Sequence, residues 1–281
     1  SKMSIDEICK KYGISNYTIN DDESIDVDGH VIIWDMGLTE LPLKFNKVNG
    51  DFECYDNKLT SLKNSPIEVT RSFNCSNNKL TTLEGGPKYV GGSFFCNNNK
   101  LTSLEHAPEK VDVHYVCNKN KLTSLKGSPK LIYGFFDCSQ NMLVDLKEGP
   151  EKVNYAFYCQ YNKLTSLEGC PKKITREFRC YNNELTSLEG GPEYVGSDYN
   201  CSVNKIINFK GCPDYIGTKF HYFQNPIGFI SDEIDVEFMR AFNTFKVLKG
   251  NTINLKRLRY LMEIFDKRIW LENIKKNYEV Q

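Results

Sequence analysis

Cysteine is the residue whose type and spacing first suggest chemistry. Eight of the 11 cysteines, Cys54, Cys75, Cys96, Cys117, Cys138, Cys159, Cys180 and Cys201, stand 21 residues apart. A regular thiol array could hold metal, exchange electrons or pack as small hydrophobic groups. The neighbours choose among these. Two residues before each cysteine stands an aromatic: Phe52, Phe73, Phe94, Tyr115, Phe136, Phe157, Phe178 and Tyr199. In a strand, that spacing puts ring and thiol on one face. Stacked parallel strands aim neighbouring Cβ vectors alongside each other, which suits a disulfide poorly. The thiols are therefore expected to be reduced core residues, consistent with a cytoplasmic setting.

The other groups with catalytic potential are weaker. His30, His106, His114 and His221 lack the mutual spacing of a metal site, and none has a sequence partner for a triad. Gly85-Gly86 and Gly91-Gly92 read as turn glycines, with no phosphate-loop pattern around them. No enzyme activity, metal site or cofactor is expected. Lys plus Arg number 36 against 36 Asp plus Glu, so no basic excess points to nucleic acid. No window approaches the roughly 18 apolar residues of a membrane span, and the N-terminus shows no apolar core of a secretory signal.

The elements that position the cysteines share their period. Asn follows three residues later, from Asn57 to Asn204. Leu follows at plus five and plus eight, giving way to Ile206 and Phe209 in the last full copy. Pro stands at plus twelve, from Pro66 to Pro213, and Val or Ile at plus fifteen, from Val69 to Ile216. A period in this range means a stacked solenoid. Each Phe-x-Cys is a strand of a parallel sheet, each Asn bonds backbone where the chain turns, and the later apolar positions fill the core from the returning side. The returning segment is too short and too rich in Gly and Pro for a helix, so extended or 3₁₀ turns are expected there. Worn copies at both ends bring the count to ten units over 31–230. Residues 1–30 read as an N-terminal cap of helix plus hairpin, the hairpin running over 17–33. Residues 231–281 read as a helical cap. Its first helix carries Ile234, Phe238, Phe242 and Phe245. Its second opens at Asn254 and extends to Ile269, with Gly250-Asn251 as the turn between them.

The string Phe-x-Cys-x-x-Asn-x-Leu-Thr-Ser-Leu-x-Gly-x-Pro resembles the leucine-rich repeat, with Phe and Cys in place of the first two strand leucines. Its length resembles the short bacterial class found in type III secretion effectors. The preceding segment, Tyr17-Thr18-Ile19-Asn20 through Phe45-Asn46-Lys47-Val48, is similar to repeat proteins of tailed bacteriophages. The resemblance implies a leucine-rich-repeat solenoid with its parallel sheet on the concave face, and binding to a partner protein. Some effectors with this repeat carry a ubiquitin-ligase domain with a Cys-x-Asp nucleophile. Cys54-Tyr55-Asp56 and Cys212-Pro213-Asp214 match those letters, but both are repeat positions, and no helical catalytic domain follows residue 230.

The concave sheet is the usual binding face of such a solenoid. Its outward residues flank Phe-x-Cys. Across the middle units they include Phe95, Val116, Phe135, Tyr158, Tyr161 and Tyr181, with Arg179 beside them. Stacking does not require aromatics there, and aromatics with Arg are the composition of interface hot spots. These seven residues are the candidate partner-binding set, with the aromatics expected to be solvent-exposed. The function expected is a non-enzymatic scaffold for a host or viral protein, as a phage factor that inhibits or redirects a host protein. The alternative is a virion accessory or a glycan reader.

Overall fold

A computed structural model describes residues 2–281 and places them in two compact units. One comprises the chain to Leu143 together with Lys147–Tyr155; the other comprises Val144–Leu146 with Ala156–Gln281. Both are leucine-rich-repeat solenoid, built from the same 21-residue coil. Each coil contributes one short strand at Phe-x-Cys and another on its return. In the first unit the Phe-Cys ladder runs through Val31–Ile32, Phe52–Glu53, Phe73–Asn74, Phe94–Phe95, Tyr115–Val116 and Phe136–Asp137. In the second it runs through Phe157–Tyr158, Phe178–Arg179, Tyr199–Asn200 and Phe220–His221. Pairing is parallel and offset by one repeat, Phe52 facing Phe73 and Phe178 facing Tyr199.

The core follows from that register, because stacking places like on like. The Phe52 and Phe73 rings lie 5.2 Å apart in the first unit, and Phe178 and Tyr199 lie 5.0 Å apart in the second. The cysteine column lies beside the rings and the leucines close the other side, all buried. Returning segments take the extended alternative and form a ladder of their own. Its strands are Phe45–Val48, Glu68–Val69, Tyr89–Val90 and Lys110–Val111, with Leu131–Ile132 pairing Lys152–Val153, in the first unit. In the second they are Lys173–Ile174, Tyr194–Val195 and Tyr215–Ile216.

Asparagine terminates each Phe-Cys strand. The residue just before it is left-handed, as at Asp56 (φ 54°), Asn98 (φ 54°) and Asn182 (φ 54°). This turn leaves strand carbonyls without ladder partners, and the Asn side chain takes them up. Asn78 Nδ2 donates to the carbonyls of Cys54 (3.1 Å) and Cys75 (3.0 Å), while its Oδ1 accepts from Leu59 N–H at 2.9 Å. The same set recurs at Asn99 and Asn204.

At the N-terminus a helix spans Ile5–Lys11, capped by Ser4 Oγ. Tyr17–Ile19 and Ile25–Val27 form an antiparallel hairpin. Val31–Ile32 is not its third strand, as the hairpin reading over 17–33 had it. Gly29, at φ 149°, carries the chain across to open the Phe-Cys ladder.

The C-terminal segment begins with a helix over Val236–Thr244, N-capped by Asp235. That helix stops short of Gly250, because Leu248–Lys249 and Thr252–Ile253 form a hairpin turning at Gly250 (φ 58°). Glu279–Val280 joins this hairpin as a third strand. The next helix, Leu255–Ile264, opens at Asn254 as expected but closes at Phe265 instead of continuing to Ile269. Phe209, in a slot held by Leu elsewhere, meets Phe242 edge-on at 4.9 Å and Phe238 at 6.1 Å. Larger reach at Phe209 is what lets a helix seal the second unit.

Candidate binding face

In the second unit, strand alternation that buries Phe157, Cys159, Phe178 and Cys180 turns their neighbours outward. Four of the expected residues lie there in two contacting pairs. Arg179 donates from Nη2 (2.9 Å) and Nε (3.2 Å) to Glu177 Oε2, and its guanidinium lies 4.6 Å over the Tyr158 ring. Tyr158 hydroxyl donates to Glu177 Oε1 at 2.9 Å. Tyr161 and Tyr181 meet edge to face at 5.5 Å. Tyr161 is 49% exposed; Tyr158, Arg179 and Tyr181 are half-buried. So partly exposed an ion pair is worth at most about 1 kcal/mol. Its effect is to fix the orientation of Tyr158 and Arg179.

Glu177, which joins Tyr158 to Arg179, is absent from the expected set. It stands three residues before its cysteine, as do Asp51, Ser72, Ser93, His114 and Asp198. In the first unit these side chains form a second ladder, each accepting the backbone N–H one repeat on. His30 Nδ1 accepts from Asp51 (2.9 Å), Asp51 from Ser72 (2.8 Å), Ser72 from Ser93 (3.0 Å), Ser93 from His114 (3.2 Å) and His114 Nδ1 from Phe135 (3.0 Å). The run of Asp, Ser and His at that register was the available signal.

Also in the second unit, Asp198 accepts from the Thr218 hydroxyl and, at 3.1 Å, from Lys219 N–H, and lies 3.1 Å from His221 Nε2. The Thr218 hydroxyl, with His221 and Lys219 N–H, holds the Asp198 carboxyl below its ordinary range. Since that hydroxyl is directed at the carboxylate, it is not poised as a nucleophile against the imidazole.

The first unit corrects part of the expectation. Val116 is only 8% exposed. A short branched side chain in register with Phe95 and Asp137 is overshadowed by both. Phe95 is half-buried, and Phe135 lies flat on the His114 imidazole at 3.9 Å, so neither is the open ring expected. Tyr158 and Tyr181, likewise expected open, are half-buried by the contacts already described. Burial lowers the His114 pKa, and its Nδ1 is the acceptor for Phe135, so the proton of the neutral ring sits on Nε2. An exposed apolar group in this unit lies outside the expected set. Trp34 (41% exposed) stacks on Tyr55 at 5.5 Å, beside Ile32 and Met36. Ile32 and Trp34 flank Ile33 as outward residues flank each cysteine. The register therefore predicted them, although Ile33 replaces the cysteine.

No catalytic group emerges from the thiols. Burial pushes Cys54, Cys75, Cys96, Cys117, Cys180 and Cys201 well above the ordinary thiol range, which leaves little thiolate to react. Cys212, half-buried, is also pushed up by burial. Among the described residues, no group of three or more His, Cys, Asp or Glu side chains is disposed to hold a metal ion, and no helix is long and apolar enough to cross a membrane.

No family model matches the chain, and no curated protein matches it. Among solved structures, the chain is similar to YopM from Yersinia enterocolitica WA-314, at 14% sequence identity and a TM-score of 0.28 over 70% of this chain; it spans 64% of that protein's length.

Proposed function

We propose that this protein is a non-enzymatic scaffold that binds a partner protein through the outward, concave face of its Phe-Cys ladder. The observation that carries this reading is the second unit's cluster of Tyr158, Tyr161, Glu177, Arg179 and Tyr181. Stacking the coil asks only for small polar residues at these positions, such as Asn200 and Ser202 in the same unit. Rigid aromatics beside a pre-oriented Arg cost little entropy on binding and suit a hot spot. We extend the proposal to a phage factor that acts on a host protein, on the resemblance of residues 17–48 to phage repeat proteins alone.

The test is capture from bacterial host lysate by wild type and by a Tyr161→Ala, Tyr181→Ala double variant. Loss of hot-spot tyrosines reduces affinity by some thirtyfold, on the order of 2 kcal/mol. The captured partner should therefore disappear while the thermal midpoint stays within a few degrees. Retention of the same partner by the double variant places binding elsewhere.

A further inference from the structure

The second unit has a cleft on the other side of the same fold, at the edge of its last coil. Its volume is about 570 Å³, and Ile216, Phe220 and Tyr222 line one wall while Asp232, Glu233 and Glu237 line the other. Two observations define what the cleft presents. The first is an open strand edge. Tyr199 and Cys201 donate their N–H groups to the carbonyls of Lys219 and His221, both at 2.9 Å. In a parallel ladder, residues that point backward alternate with residues that point forward. Lys219 and His221 point backward, so the N–H and C=O of Phe220 and the N–H of Tyr222 point forward, while the Tyr222 carbonyl accepts from Asn225 Nδ2 at 3.1 Å. Phe220–His221 ends its ladder, and among the described residues no strand lies beyond it. The second observation is incomplete cover. Ile216 is half-buried where its counterparts Ile174 and Val195 are fully buried, and Phe220 is 7% exposed where Phe178 and Tyr199 are 0%. The helix over Val236–Thr244 seals the leucine side at Phe209 but leaves this corner open.

Charge selects the occupant. Asp214, Asp232, Glu233, Asp235 and Glu237 face the cleft against Lys219 and Arg240. Arg240 is engaged with Asp214, through its carbonyl and its Oδ1, both at 3.2 Å. Asp235 is engaged in capping its helix. Asp232, Glu233 and Glu237 are exposed; Lys219 shares the cleft and the Lys267 ammonium donates to the Glu233 carbonyl at 2.6 Å, but acidic residues in the lining outnumber basic ones five to two. We propose that this cleft binds an extended segment of a partner protein as an added strand. Its main chain pairs with the N–H and C=O of Phe220 and the N–H of Tyr222, its apolar side chains cover Ile216 and Phe220, and its alternate basic side chains meet the three carboxylates. This site is separate from the tyrosine face, so the two can be tested apart.

The experiment titrates the full chain with a short acetylated peptide of alternating lysine and valine, followed by fluorescence anisotropy. A second peptide, identical but N-methylated at every residue, keeps the charge and removes the backbone donors. Saturable binding is expected, weakened about tenfold or more by N-methylation and by the Asp232→Lys, Glu237→Lys double change. The Tyr161→Ala, Tyr181→Ala variant should bind the peptide as wild type does. Absence of saturable binding overturns the proposal. So does equal affinity for the methylated peptide, which would mean charge alone and needs no variant to fold. Sedimentation showing that a second copy of the chain competes for the peptide would assign the edge to self-association and overturn it as well.

Discussion

The two faces of a Phe-Cys strand follow different rules. Inward, each position repeats almost without change. In the first unit Phe52, Phe73, Phe94, Tyr115 and Phe136 stack with Cys54, Cys75, Cys96, Cys117 and Cys138, all fully buried. Outward, the residue between ring and thiol varies along the stack: Glu53, Asn74, Phe95, Val116 and Asp137 in the first unit, and Tyr158, Arg179 and Asn200 in the second. The inward face must fit its own copy one repeat away, so any change there is felt by two neighbours. The outward residue between ring and thiol is under no such constraint. What the outward face keeps, as at Tyr158, Tyr161, Arg179 and Tyr181, reflects some other demand.

The largest test of this contrast is Asn120→Ala, on the inward side. Asn120 Nδ2 donates to the carbonyls of Cys96 (3.1 Å) and Cys117 (3.0 Å), and its Oδ1 accepts from Leu101 N–H at 3.0 Å. Each buried group left unpaired costs about 1–3 kcal/mol, so a loss of about 3 kcal/mol is expected in urea unfolding. An unchanged midpoint would make the Asn ladder ornamental. Next comes the turn after each strand, where Val203 is left-handed at φ 55° and Tyr161 at φ 57°. Several of their counterparts are Asn or Asp, which tolerate that conformation. Val203→Asn should stabilise by about 1–2 kcal/mol. Tyr161→Asn should stabilise similarly and lose the partner, the joint result that separates strain kept for function from strain left by chance.

A smaller effect belongs to Tyr115, which replaces Phe in the inward column. Its buried hydroxyl has no nitrogen or oxygen partner and only the Cys96 thiol beside it, a weak acceptor. Tyr115→Phe should stabilise by about 1 kcal/mol in the same assay. The smallest concerns His114 on the outward side. Because its folded pKa lies below the unfolded value of about 6.5, the fold prefers neutral imidazole. That stability is present above about pH 6.5 and is lost as the pH falls through it toward the folded pKa. His114→Ser keeps an acceptor for Phe135, as Ser72 does for Ser93, and cannot be protonated. The thermal midpoint of this variant should fall less than that of wild type between pH 7 and pH 5.

The repeat alone determined the coil, its strand position, the buried state of the cysteines and the part played by each Asn. These depend on side chains meeting their own copies, and a fixed 21-residue period specifies those meetings completely. Asn254 as a helix start was also legible, because its capping bond to Arg257 N–H is local. How open each outward side chain is was decided only by tertiary structure. Val116 is covered because its register neighbours are larger, and Phe135 because a His lies one repeat before it. Arg179 is held by Glu177 in its own coil and by Tyr158 in the coil before it. The end of the second unit was decided the same way. Phe209 replaces a Leu in the sequence, but only packing shows that it meets Phe238 and Phe242 and seals one side while Ile216 and Phe220 stay accessible. A period constrains what repeats; contacts between unlike residues from different coils, and between the last coil and its cap, have no period to reveal them.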